Sequence, residues 1–214
     1  MVTKEGNRNN YEEQYYRVFE VPFRDTYLHL KASLDTGRRR YSFTKLDFGD
    51  GPIFFTNAEK GDMPFIVSDF NLHSFFPVVS KEIADKLLPL NINGFQLFPA
   101  VLVGDDEEWH EDFFFFNAYE NLNCIDFERS EILDYSPDDS RHEVIKYKFK
   151  NGVLDAIPQE NRLIIRPHKV AGGGLLIHES IVNKINKYVK ESEFKFFKLS
   201  DYKLGDKYME REVV

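Results

Sequence analysis

One pattern recurs in this chain and limits its architecture more than any other. Over 76–98 an apolar run (Phe76, Pro77, Val78, Val79) passes through Ser80 into Lys81, Glu82, Ile83, Ala84, Asp85, Lys86 and Leu87, and then through Pro89 and Gly94 into Phe95, Leu97 and Phe98. Over 175–197 the order returns: Leu175, Leu176, Ile177, then His178, Glu179, Ser180, Ile181, Lys184 and Ile185, then Glu193, Phe194, Phe196 and Phe197. Val79, Ile83, Lys86 and Leu87 match Ile177, Ile181, Lys184 and Ile185 at one fixed offset. Each copy reads as strand, capped helix, turn, strand. Ser80 is placed to cap the first helix, and His178 or Ser180 must do so in the second. Ile83 and Leu87, and Ile181, Ile185 and Tyr188 or Val189, recur at helical spacing and bury one face. Pro89 stops the first helix, whereas the second can run to about Glu191. Two copies are too few for a solenoid. The expected class is therefore α+β, a mixed or antiparallel sheet with an internally duplicated strand-helix-strand unit.

The rest of the chain supports a β-rich reading. Its 214 residues can bury a substantial core, and 21 Phe and 11 Tyr favour strands. Val144 to Phe149 alternates before Asn151-Gly152, and Val153 to Ile157 follows, which predicts a β-hairpin with a two-residue turn. Thr36-Gly37 reads as a turn leading into the basic cluster Arg38, Arg39 and Arg40, and 48–52 as another turn before the short strand at 53–55. Short strands are also expected at 163–165, ended by Pro167. Residues 1–12 are expected to be a disordered tail and 13–214 a single domain. The one cysteine, Cys124, excludes an internal disulfide and is expected to be a small buried hydrophobe in a reducing compartment. No apolar run reaches the roughly 18 to 20 residues of a membrane span, and the N-terminus lacks a secretory signal, so a cytoplasmic location is expected.

Charge is unevenly spread. Between Asp105 and Glu143 fourteen acidic residues face only Arg129 and Arg141, a net −12 in a chain of −8, so the remainder is +4. Such a block repels nucleic acid and attracts basic partners. Its densest part, Asp105, Asp106, Glu107, Glu108, Glu111 and Asp112, is the candidate partner-binding set, with 134–139 as a further acidic surface. The alternative is a solvated loop that the charge keeps soluble. Phe113, Phe114, Phe115 and Phe116 follow at once, and four consecutive aromatics imply a strand covered on both faces or an outward ridge that would mark an interface. Burial is the expected outcome.

Catalytic and cofactor signatures are absent from the pattern. Gly172, Gly173 and Gly174 open into a strand with no Lys-Ser or Lys-Thr after them, which reads as a flexible turn rather than a phosphate cradle. The six histidines show no pair at metal-ligand spacing on a helix, and His110, Glu111 and Asp112 alternate between faces of a strand. No nucleophile elbow occurs, and no local pattern ties a base to a serine or to Cys124. No metal, nucleotide or covalent cofactor is therefore expected. A small enzyme using carboxylates or the His110 neighbourhood, and an oligomer held by the Phe113 to Phe116 stretch, stand as alternatives to a binding module.

Taken together, these residues resemble a known group. The Val78-Val79-Ser80-Lys81-Glu82-Ile83 strand-to-helix step, its counterpart at 176–185, the central Phe113 to Phe116 stretch with Asn117, Asn121 and Asn123 after it, and the acidic Asp126-x-Glu128-x-Ser130-Glu131 segment are similar to those of immunity protein family eleven of bacterial polymorphic-toxin systems. The resemblance spans roughly 52–199, departs from the family pattern at His178-Glu179-Ser180, and finds nothing to match before about Phe48. It implies a non-enzymatic antidote in the cytoplasm that binds and blocks one cognate protein toxin. It implies no catalytic residues.

Overall fold

The protein is described by a computed structural model covering residues 10–21, 28–41, 43–62, 65–133, 141–171, 174–203 and 205–206. A short strand β1 (Tyr15–Glu20) precedes β2 (Leu30–Ala32), helix α1 (Leu34–Arg38), β3 (Ile53–Asn57), β4 (Phe70–His73), β5 (Phe76–Ser80) and helix α2 (Lys81–Leu87). The long pair β6 (Phe95–Val103) and β7 (Trp109–Ala118) follows, then β8 (Glu131–Ile132), β9 (Val144–Lys146), β10 (Ile164–Ile165), β11 (Leu176–His178), helix α3 (Glu179–Ile185) and β12 (Phe194–Lys198). The class is α+β, with one six-stranded mixed sheet, β2-β3-β6-β7-β5-β4, and one four-stranded antiparallel sheet, β10-β11-β1-β12.

The six-stranded sheet curls back on itself. Its two edge strands, β2 and β4, meet through a parallel bridge between His29 and Leu72, and the His73 ring reaches the Leu30 carbonyl at 2.8 Å. The other His73 nitrogen accepts from the Tyr41 hydroxyl at 2.7 Å, so Nδ1 carries the proton given to Leu30. Closure hides edges that would otherwise offer unpaired backbone groups. Phe55, Phe76 and Phe115 share the inner face, and Tyr41 packs on Phe55 and Phe115 there. Inside one end, Gln96 exchanges hydrogen bonds with the backbone of Leu46, and Asn117 donates to Gln96 and to the Thr44 carbonyl. The four phenylalanines lie on β7 in the middle of this sheet: Phe113, Phe115 and Phe116 are buried and Phe114 half-buried, so the stretch is covered rather than a ridge.

Both strand-helix-strand segments form, and each is split. In the first, β5 and β6 are both antiparallel to β7, which runs between them; in the second, β11 and β12 are both antiparallel to β1, which runs between them. Helices α2 and α3 touch, and Ile83, Leu87, Ile181 and Ile185 join one core with residues of both sheets. The first cap differs from the sequence expectation and the second is one of the two residues expected. Ser80 stands at the N-cap of α2, but its hydroxyl makes no capping bond and is buried without a partner among the described residues, whereas His178 caps α3 by accepting from the Ser180 amide at 3.1 Å. The expected run of α3 to Glu191 stops at Ile185 and tightens into a 3₁₀ turn, Asn186–Tyr188. In place of the turn read at Thr36-Gly37 stands the five-residue α1, because Ser33 caps it by accepting from the Thr36 amide.

A second core gathers Tyr11, Tyr15, Cys124, Ile125, Tyr147, Phe149, Leu154 and Leu176. Tyr11 and Glu12, expected in the tail, belong to a 3₁₀ turn, with the Tyr11 hydroxyl donating to Asp155 at 2.6 Å; residues 1–9 lie outside the described residues. The hairpin expected at 144–157 does not form. β9 pairs with β8 instead, Phe149 bridges Ile125, and 151–157 is a chain of turns that buries Leu154. Apolar alternation there serves a core on one side, and no partner strand follows the turn.

Candidate partner-binding surface

All six candidate acids sit at one end of the β6–β7 hairpin. The turn at 104–108 is closed by the Gly104 amide donating to the Glu108 carbonyl at 2.8 Å and the Glu107 amide to the Gly104 carbonyl at 3.0 Å. The Asp106 carboxylate accepts from the Glu108 amide at 3.0 Å, an Asx-type closure that suits Asp. At Gly104 a Cβ would come within 2.6 Å of the Asp106 carboxylate, so a larger residue there would push that side chain aside. Beyond the turn a bulge inserts an extra residue between the pairs Leu102–His110 and Ala100–Phe113, setting Glu111 and Asp112 opposite Val101, with Asp112 at φ 64°. Asp106, Glu107, Glu108, Glu111 and Asp112 are exposed, and Asp105 is half-buried, accepting from the Asn57 side-chain Nδ2 at 3.2 Å.

The hairpin also carries residues that the charge pattern alone did not single out. Trp109 is 59% exposed in the middle of the acids and meets Phe54 edge-to-face at 5.3 Å. A lone tryptophan inside a charge run was its only sequence signal; Phe54 had none, since it lies in an apolar strand. His110 stacks on Phe65 at 5.3 Å. Among the described residues no three of His, Cys, Asp or Glu are grouped to hold a metal ion. The further acidic surface expected at 134–139 lies outside the described residues.

The basic cluster is only partly absorbed into structure, since Arg38 and Arg40 are exposed. Arg38 pairs with Asp35 at 3.5 Å, and Arg39 donates to the carbonyls of Gly51 and Pro52, its guanidinium over the Phe98 ring at 5.3 Å. Of the glycine cluster only Gly174 is described, and its Cα faces the Arg17 guanidinium so closely that a Cβ would meet it at 3.0 Å. Cys124 is fully buried, and burial pushes its thiol up to about 12. A separate cavity of about 150 Å³ opens beside the asparagine-rich turn, lined by Glu120, Asn121, Asn161 and Arg166 among others; Arg166 donates to the Ala118 carbonyl and lies over the rings of Phe43 and Phe76. No described helix is long and apolar enough to cross a membrane.

A comparison with curated proteins finds no match. The family model described as Immunity protein family (Imm11) matches residues 8–166. That span corrects the resemblance read over 52–199: it takes in nearly all of the segment before Phe48, for which no relative was named, and ends before β11, α3 and β12. With well over half of its residues under that model, the chain belongs to the immunity protein family Imm11.

Proposed function

We propose that the protein is a non-enzymatic antidote that binds one cognate protein toxin in the cytoplasm and blocks it. Family membership over 8–166 carries this reading. The binding surface in this reading is the end of the β6–β7 hairpin, where Asp105, Asp106, Glu107, Glu108, Glu111 and Asp112 present a negative field to a basic toxin. Complementary fields of this kind mainly speed association and set specificity. The buried titrating groups support a binder over an enzyme: Tyr15 and Cys124, each pushed up to about 12 by burial, and Tyr147, raised by burial as well, lie in the second core and not in an open cleft. We read 13–214 as one folding unit, since one core draws on both sheets and on helices α2 and α3, and the two split units as copies of one element.

The test is co-expression with the toxin-like polypeptide encoded beside this gene. Cells carrying both should survive and the two proteins should co-purify at a fixed ratio. Survival without a complex, or a complex without survival, would refute the antidote reading.

A further inference from the structure

A cavity of about 150 Å³ separates the outer edge of β10 from the turn that follows β7. Backbone bonds join its two walls on either side of Ile164: the Asn93 amide donates to the Asn161 carbonyl at 3.0 Å, and the Leu122 amide to the Arg166 carbonyl at 2.8 Å. On the opposite edge of β10 the His178 amide donates to the Leu163 carbonyl at 2.8 Å. Antiparallel alternation therefore turns the N–H and C=O of Ile164 away from β11 and toward the gap. Ile164 lines the cavity and is 2% exposed, yet neither group has a hydrogen-bond partner among the described residues. Buried backbone groups are almost always paired, so this pair points to an occupant.

Arg162 makes the second, independent case. It lines the same cavity and is 8% exposed. Its Nε donates to the Ile157 carbonyl at 3.1 Å and its Nη1 to the Tyr15 hydroxyl at 2.9 Å, with the guanidinium over the Tyr11 ring at 4.9 Å. Among the described residues Nη2 has no hydrogen-bond partner and no carboxylate pairs with this arginine. A buried cation without a counter-charge is costly, and a carboxylate accepting from its N–H groups relieves that cost. Of the charged residues in the lining, Arg162 and Arg166 stand against Glu120 alone, so the field inside favours an anion. Glu120 reaches this wall by a close approach that only glycine permits. Gly94 has φ 65°, and a Cβ there would lie 2.5 Å from the Glu120 Cβ.

We propose that this cavity binds a small 2-hydroxy carboxylate. Its carboxylate accepts from Arg162 Nη2 and the Ile164 N–H, and its hydroxyl donates to the Ile164 carbonyl. The N–H and C=O of one strand residue face the same way, so an acceptor and a donor on neighbouring atoms of one ligand match both. Leu122 and Ile157 supply apolar wall for the carbon skeleton. A cavity of this size admits a ligand about as large as benzene, about six heavy atoms, which suits a free small molecule and is too little for a chain segment. The site stands apart from the antidote reading, and neither depends on the other.

Lactate, with six heavy atoms, is the probe, titrated into the full chain at constant ionic strength and followed by the backbone amide signals in ¹H–¹⁵N spectra. The Ile164 amide should shift saturably. Lactamide, which lacks the charge, and propionate, which lacks the hydroxyl, should each bind about tenfold more weakly. Arg162→Gln should weaken lactate binding by about tenfold, whereas Glu120→Gln, a change at an exposed residue, should strengthen it about threefold by removing a like charge. Arg162 also holds Tyr15 and Ile157, so the spectrum of Arg162→Gln must first show a native fold; if it does not, the two control ligands and Glu120→Gln decide. An Ile164 amide that does not shift, a control ligand that binds as well as lactate, or an affinity unchanged in Glu120→Gln would overturn the proposal. So would undiminished binding by a folded Arg162→Gln.

Discussion

The two N-caps show how a single side chain decides local behaviour. His178 is 3% exposed, its Nδ1 accepts from the Ser180 amide, and Nε2, which then holds the proton, lies 3.2 Å from the Gln159 side-chain amide. A ring in this role must be neutral, because a protonated Nδ1 cannot accept. Burial, more than any other cause, holds the pKa below its ordinary value near 6.5, with the Arg162 charge acting the same way and Glu179 opposing. His73 is depressed likewise, by burial between Tyr41 and the Leu30 carbonyl. Since the unfolded chain binds these protons more readily than the folded one, their contribution is complete above about pH 6.5 and is lost as the pH falls toward the lower folded values. Denaturant midpoints should therefore drop on acidification below that point. His178→Asn, which can cap without titrating, should flatten the drop; an unchanged profile would show that the cap plays no part. Cys124 offers a simpler check: buried and held as a thiol, it should resist alkylation in the native protein and react only when the chain unfolds.

At the scale of elements, helices α2 and α3 were legible because helical spacing and apolar identity coincide at Ile83, Leu87, Ile181 and Ile185, and all four are buried in one core. Leu87→Ala or Ile185→Ala should cost about 2 to 5 kcal/mol, measured by urea unfolding, and a loss below about half a kcal/mol at both would remove the helices from the core. Ser80→Ala is expected to be close to neutral, since its hydroxyl is buried with no partner among the described residues, whereas loss of an effective serine cap would cost about 1 kcal/mol. Other features were hidden for physical reasons. Alternation at 144–149 reports one-sided burial and says nothing of which strand pairs, so β9 joins β8 across a long gap in sequence. The insertion of β1 between β11 and β12, and the closure of β2 onto β4, are long-range pairings that no local pattern encodes. The candidate acids were legible as a charge run; the Phe54–Trp109 contact was not, because it depends on the parallel register of β3 and β6.

For the whole molecule, the contrast between a −12 segment and a +4 remainder makes an orientation-dependent field. Its densest part projects from the hairpin end, where five of the six candidate acids are exposed and held by backbone closure that does not require their charge, Asp106 apart. Charges at the rim of an interface, the place proposed for these acids, act on the encounter more than on the bound state. Replacing Asp105, Asp106, Glu107, Glu108, Glu111 and Asp112 by Asn or Gln should therefore slow association with the toxin by about 10-fold or more at low salt, flatten its salt dependence, and leave the unfolding midpoint nearly unchanged. Stopped-flow association across a salt series reads all of this in one experiment. If the six-fold variant associates at the native rate at every salt concentration and still protects cells, the hairpin acids only solvate the turn. The toxin must then meet another part of the surface, with the Arg38 to Arg40 segment the next place to substitute.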